Sequence, residues 1–251
     1  LEALGRVDQS VAITLEAGVS LGAMPIYRFG NEDQKAEYLP DLLAGRALAG
    51  FGLTEPEAGS DAGATRTTAR LESGEWVING SKQFITNSGT PITRFVTATA
   101  VTGETDGRKE ISTILVPNGT PGFTVEPAYD KLGWHASDTH PLTFDNVRVP
   151  EANLVGQRGR GFANFLHILD EGRIAIAALS TGAAEGCLEA AVEYSKSRTV
   201  FGTSLSTRQG IQFMLARMQQ RVHGARLAWH YAARLRDAGR PFKTEAAIAK
   251  I

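Results

Sequence analysis

Three stretches of this 251-residue chain combine residue types that can do chemistry. FGLTEPEAGSDAG, from Phe51 to Gly63, starts apolar, carries two glutamates and a proline, and closes on small polar residues. Gly59, Ser60 and Gly63 leave backbone amides and a hydroxyl uncovered, which suits a phosphate or a flat polar ring lying against the chain. An ordinary Gly/Ser turn has the same composition. In QFITN, Phe84 is by itself no more than a good strand residue. In DEGR, Asp170 and Arg173 can share one helix face as a local ion pair.

Other chemistries are poorly served. No Gly-x-Gly-x-x-Gly follows a strand and opens a helix, and no Gly-Lys-Ser/Thr loop is present, so classical nicotinamide and nucleotide-hydrolase folds fit badly. The five histidines lack metal-ligand spacing, and no Gly-x-Ser-x-Gly elbow exists. With one cysteine, Cys187, an internal disulfide and a cysteine metal site are excluded. Among alanines and Leu188, Cys187 is expected to be buried. Lys plus Arg number 26 against 27 Asp plus Glu, so no net field recruits nucleic acid or an anionic membrane. No apolar run reads as long enough to span a bilayer, and no signal peptide is visible at the start.

The elements that must position these residues follow from periodicity and breakers. Over residues 1–45, Leu1, Leu4, Val7, Val11, Leu15, Val19 and Leu21 recur at helical spacing until Pro25, where the run is expected to stop; Asn31 and Gln34 form a capping-box signal for a second helix. Residues 46–150 change to short stretches cut by Gly, Pro and Asn and predict a small antiparallel β domain. Within it, Asn79-Gly80 predicts a tight hairpin inside EWVINGSKQFIT, and ISTILVP, GFTVEP and HPLTFDNVRVP read as strands. Residues 151–251 return to helix, with long segments from Gly161 to about Ser197 and from Thr207 to about Ala238, and a restart after Pro241. The first carries acidic and the second basic residues, a match for an antiparallel pair, although a solvated basic face explains most of the arginines. The class is α+β: a helical N-terminal part, a middle β domain and the start of a helical bundle.

Five motifs in order, GLTEPEAGSDAGA, INGSKQFITNSG, KLGWHASDTHPLTFDNVRVP, GRGFANFLHILDEGRIAIAA and SRTVFGTSLSTRQGIQFMLARM, resemble their counterparts in the acyl-CoA dehydrogenase family. The likeness runs over essentially the whole chain, which looks like the central part of such a subunit. It implies FAD as cofactor, with Phe51, Leu53, Thr54, Gly59 and Ser60 toward the pyrimidine and pyrophosphate sides. Phe84, Ile85 and Thr86 would lie against the opposite flavin face. Arg198, Phe201 and Gln209 are similar to residues that reach the FAD of a neighbouring subunit, which implies a homo-oligomer, usually a tetramer; alone, Arg198 could be a helix-terminal arginine satisfying carbonyls. Ser60, Asp170 and Arg173 would border the acyl-CoA.

The implied reaction is α,β-desaturation of an acyl-CoA thioester, with electrons passed to an electron-transfer flavoprotein and a cytoplasmic or mitochondrial-matrix setting. An acyl-CoA oxidase, a nitroalkane-oxidase-like flavoprotein or a non-catalytic binding subunit would share most of the motifs. His135 stands where many members carry arginine. The family's base is a glutamate late in the bundle or one just before the DEGR-type arginine. Here that residue is Gly172, and one position along a helix turns Glu171 away by about 100°. The base is therefore expected downstream of Ile251.

Overall fold

The computed structural model describes residues 1–251 and divides into two compact units, Thr14–Leu169 and Leu1–Ile13 with Asp170–Ile251. In the first, the helix α2 (Gln9–Glu16), which enters from the other unit, continues as a π-helical segment (Ala17–Ala23) into α3 (Met24–Phe29). Pro25 thus does not end the helix. Proline lacks an N–H that the first turn of a helical segment leaves unpaired anyway, and the widened turn before it, where Met24 N–H reaches Val19 O, absorbs the change of register. Val11, Leu15 and Val19, which mark the helix in the sequence, lie on its exposed side, whereas small Ala17, Gly22 and Ala23 are buried. The capping box forms as expected at α4 (Glu32–Leu43): Gln34 N–H donates to Asn31 Oδ1 at 2.8 Å and Asn31 N–H to Gln34 Oε1 at 3.2 Å.

The sheet contains β1 (Leu48–Gly52), β2 (Thr68–Glu72), β3 (Glu75–Thr86), β4 (Thr93–Thr105), β5 (Arg108–Pro117), β6 (Phe123–Val125), β7 (Thr139–Pro150) and β8 (Leu154–Val155). The strand order is β6-β7-β3-β2-β4-β5-β8, with β1 beside β4. It is mainly antiparallel, but β1 and β2 both run parallel to β4, so the purely antiparallel expectation needs correction. One face holds Trp76, Ile78, Ile85, Val96, Ile114, Leu142 and Val147 in a single core.

Asn79-Gly80 makes no hairpin. Both residues lie inside the continuous strand β3, and the β2–β3 turn falls at Ser73-Gly74, where φ is +51° and +85° as a two-residue turn demands. Gly80 serves close approach instead: a Cβ there would lie 2.7 Å from Thr67 Cα. Asn79 Oδ1 accepts the Asn146 amide at 2.9 Å, holding an irregularity in the β3–β7 ladder.

The second unit packs α1 (Glu2–Gly5) on α5 (Gly161–Ser197) beyond Asp170, followed by the hairpin β9 (Thr199–Val200) and β10 (Thr203–Ser204), then α6 (Gln209–Asp237) and α7 (Lys243–Lys250). At Gly182 and Gly186 an added Cβ would strike Glu2 O at 2.0 Å and Arg6 O at 2.3 Å, so these positions bring the helices into backbone contact. Two of the α6 arginines bridge to α5, Arg226 to Glu185 and Arg236 to Glu171. Cys187 is exposed, contrary to expectation, because it lies one helical step from the buried Leu188. Contrary to the sequence reading, the helical stretches Gln9–Phe29 and Gly161–Ser197 are long and apolar enough, by length and composition, to cross a membrane, a test that core helices also pass.

Candidate functional site

In the sheet unit, β1 delivers the first candidate segment. Phe51 and Leu53 turn their side chains inward against Phe165 and Ile168, with the Phe51 and Phe165 rings stacked 3.7 Å apart. Only backbone groups of Phe51 and Leu53 remain for a ligand. Thr54 is half-buried, and its carbonyl accepts Gln83 N–H at 2.8 Å. Glu55 and Ala58 then exchange two backbone hydrogen bonds around Pro56-Glu57, a tight turn that proline's fixed φ favours. Gly59 and Ser60 follow, exposed, with open space over Gly59.

The second candidate segment sits on a bulge. Lys82 pairs with Leu142 and Ile85 with His140, so Gln83 and Phe84 stand opposite the single residue Pro141, which has no N–H to give a ladder. Phe84 accordingly adopts φ +60°, a conformation rare for a bulky residue. The residue is 60% exposed and its ring lies against Tyr129, centroids 5.0 Å apart. Ile85 returns to the core and Thr86 is half-buried. The hydroxyls of Thr54 and Thr86 hold no hydrogen bond within the chain. Asp138 fixes the turn after Thr86 by accepting from the amides of Asn87 at 3.0 Å and Gly89 at 2.8 Å.

Between these segments lies a pair that the sequence reading missed. The Lys82 side chain is 0% exposed and that of Glu55 4%. All three ammonium protons find acceptors: Glu55 Oε1 at 2.7 Å, Thr99 Oγ1 at 3.0 Å and Leu53 O at 3.3 Å. Glu55 also accepts from Arg66 N–H at 2.7 Å and Thr67 N–H at 3.1 Å. Burial pushes the Lys82 ammonium down to about 8, against the pull of Glu55. Burial pushes the Glu55 carboxyl up, but the Lys82 charge and the donated hydrogen bonds outweigh it and hold the group below its ordinary range. The signal was available: Trp76, Ile78 and Lys82 share one face of β3, and a lysine on a core face requires a carboxylate.

In the helical unit, Asp170 is buried and accepts from Arg173 and from Lys243 at 3.0 Å, so the local ion pair exists. Glu171 accepts from Arg236 at 3.0 Å, which raises the guanidinium pKa further. Gly172 between Glu171 and Arg173 is buried. At the far end of α5, Arg198 is exposed and its backbone closes on Tyr194 O and Leu205 N–H. The β9–β10 turn holds Phe201 and Gly202 at positive φ, with Phe201 94% exposed and the Arg208 guanidinium 5.9 Å from its ring centroid. Gln209 opens α6, also exposed. Asp170 and Arg198 are separated by about 40 Å along the helix axis.

Three family models match in chain order: the acyl-CoA dehydrogenase N-terminal domain over residues 1–46, the middle domain over 50–147 and the C-terminal domain over 159–251. The probable acyl-CoA dehydrogenase YngJ of Bacillus subtilis is 48% identical over all of this chain and 66% of its own length. Butyryl-CoA dehydrogenase from Megasphaera elsdenii superposes with a TM-score of 0.93 at 43% identity, over 99% of this chain and 64% of that one. A chain in a structure of the electron transferring flavoprotein of Acidaminococcus fermentans gives a TM-score of 0.94 at 44% identity, over 99% and 65%. The chain therefore spans just under two thirds of the length of these relatives. With matched regions covering its helical and β parts in the family's order, the chain belongs to the acyl-CoA dehydrogenase family.

Proposed function

We propose that the complete protein is an FAD-dependent dehydrogenase that removes two hydrogens across the Cα–Cβ bond of a short acyl-CoA thioester and passes the electrons to an electron-transfer flavoprotein. The observation that carries this reading is the β3 bulge, which turns the Phe84 ring outward beside two uncommitted hydroxyls, those of Thr54 and Thr86. A flat ring with a polar edge needs an apolar bed and unpaired donors, and this edge supplies both. FAD, when bound, supplies the two-electron acceptor. Thr54 and Thr86 offer hydroxyls to its polar edge, Phe84 covers ring surface from water, and Gly59 and Ser60 present an open, polar approach. The short chain length follows the butyryl-CoA specificity in the name of the Megasphaera relative.

Arg198, Phe201 and Gln209 serve the FAD of a second copy in a homotetramer. What supports this is their exposure and their distance along α5 from Asp170 and Arg173, the pair assigned to the acyl-CoA. The base lies outside residues 1–251, since Gly172 has no side chain and Glu171 is held by Arg236. The test is an anaerobic titration of the full-length, FAD-loaded protein with acyl-CoA thioesters of graded length. Butyryl-CoA should bleach the flavin, with slow reoxidation in air and fast reoxidation by an electron-transfer flavoprotein. A folded protein that stays colourless with FAD, or whose flavin no acyl-CoA bleaches, would overturn the reading.

A further inference from the structure

Lys82 and Glu55 form an ion pair whose two side chains are both almost wholly buried, and neither is among the residues assigned to FAD or acyl-CoA. Replacing such a pair by apolar side chains often leaves stability unchanged or raises it, so its presence points toward specificity of geometry. Its contacts say which geometry. The ammonium holds Leu53 O, at the exit of β1, and Thr99 Oγ1 of β4, while its own backbone is the last paired position before the Phe84 bulge. The carboxylate holds Arg66 and Thr67 ahead of β2. Thr99 in turn donates to Gly52 O at 3.4 Å, and Gln83 N–H to Thr54 O at 2.8 Å. Thr54 and Phe84 therefore sit on two loop-like strand ends whose separation is set from beneath by one ammonium.

We propose that Lys82 and Glu55 are positioning residues, a buried clamp that fixes the Leu53–Glu55 segment against the β3 bulge and so sets the width of the flavin-binding edge. This rests on the proposed placement of FAD at that edge. The clamp itself can be tested without the cofactor. Lys82→Met with Glu55→Gln removes both charges yet leaves an amide oxygen for Arg66 and Thr67. In full-length protein freed of FAD, hydrogen exchange at Gln83 should accelerate at least about tenfold while the β4–β5 ladder stays protected. After reloading, the FAD dissociation constant should rise about tenfold or more, and the visible absorption band of the bound flavin should shift, as its edge loses fixed donors. Thr99→Val, which removes one of the three acceptors without adding charge, should give smaller changes in the same direction should the double variant fail to fold. Unchanged Gln83 exchange in these variants overturns the clamp whether or not FAD binds. Faster exchange with wild-type flavin affinity and spectrum overturns its positioning role. A parent protein that takes up no FAD overturns the functional reading, while the Gln83 measurement still decides the clamp.

Discussion

The two regions proposed to hold the cofactor are built in opposite ways. The sheet edge around Thr54, Phe84 and Thr86 rests on a desolvated lysine and glutamate with every proton and nearly every lone pair spoken for. The β9–β10 hairpin carries Arg198 and Phe201 into solvent, with an aromatic ring held at φ +52° and almost fully exposed. An edge that must hold a ring at fixed spacing needs interior support; a group that must reach another molecule needs reach and an undepleted charge. Stability and binding should therefore separate cleanly between the two.

The largest effect that tests this contrast is Lys82→Met alone. Leaving Glu55 charged and unpaired in the core should destabilise the protein by about 3–5 kcal/mol, read as a lowered midpoint in urea unfolding at pH 7. A loss below about 1 kcal/mol would mean that water reaches Glu55 and that the edge is not supported from beneath.

Next in size is the acid limb of stability. Glu55 is held below its ordinary pKa, so the unfolded state binds the proton first as pH falls, and the stability the carboxylate contributes is present above about 4.5 and lost below it. Each pH unit in that window should remove up to about 1.4 kcal/mol for this one proton. Lys82 adds a second window with the same sign at higher pH: with its pKa lowered to about 8, the folded state releases its proton earlier than the unfolded chain, so stability from this group also rises with pH, between pH 8 and about 10.5. Glu55→Gln should flatten the acid slope, and an unchanged slope would place the acid sensitivity elsewhere.

At the hairpin the expectation reverses. Arg198→Ala removes an exposed side chain with no ion pair, so the unfolding midpoint should move by no more than about 0.5 kcal/mol. FAD retention after gel filtration should nonetheless drop about tenfold in affinity, if a neighbouring copy's pyrophosphate is what the guanidinium meets. Finding Arg198 against the FAD of its own chain would break the contrast, and so would normal retention in the variant.

How much of this was legible beforehand depends on whether the deciding contact was local. The Asn31–Gln34 capping box is closed within three residues, and the long helices are carried by alanine and periodicity, so both could be read off the chain. Asn79-Gly80 has the residues of a turn, but Gly80 is required by Thr67, thirteen positions away, and the turn went to Ser73-Gly74. Pro25 looked like a stop because the π turn that accommodates it has no residue signature. The candidate residues at Thr54, Phe84 and Thr86 came from motif resemblance. Their support did not, because Lys82 and Glu55 lie 27 positions apart and only the sheet brings them together.

The smallest effect is expected at Glu171, and it sharpens the comparison by asking whether a committed carboxylate can also be a reactive one. Glu171 lies mostly buried in the helical unit and accepts a hydrogen bond from Arg236 at 3.0 Å. A base must meet its proton with a free lone pair in reach of the substrate, and the Glu171 oxygen that accepts from Arg236 is already committed. The neighbouring helix position, Gly172, offers no side chain, and the residue after it, Arg173, is bound to Asp170. Glu171→Gln retains an oxygen for Arg236 and should leave the rate of flavin reduction by acyl-CoA within about twofold of the parent. The stability change should stay below about 1 kcal/mol, because the Arg236 side chain is one third exposed and the pair is partly screened. If Glu171→Gln abolished flavin reduction while FAD and acyl-CoA still bound, the ion pair with Arg236 would have to open during turnover, and the helical unit, not a residue beyond position 251, would hold the base.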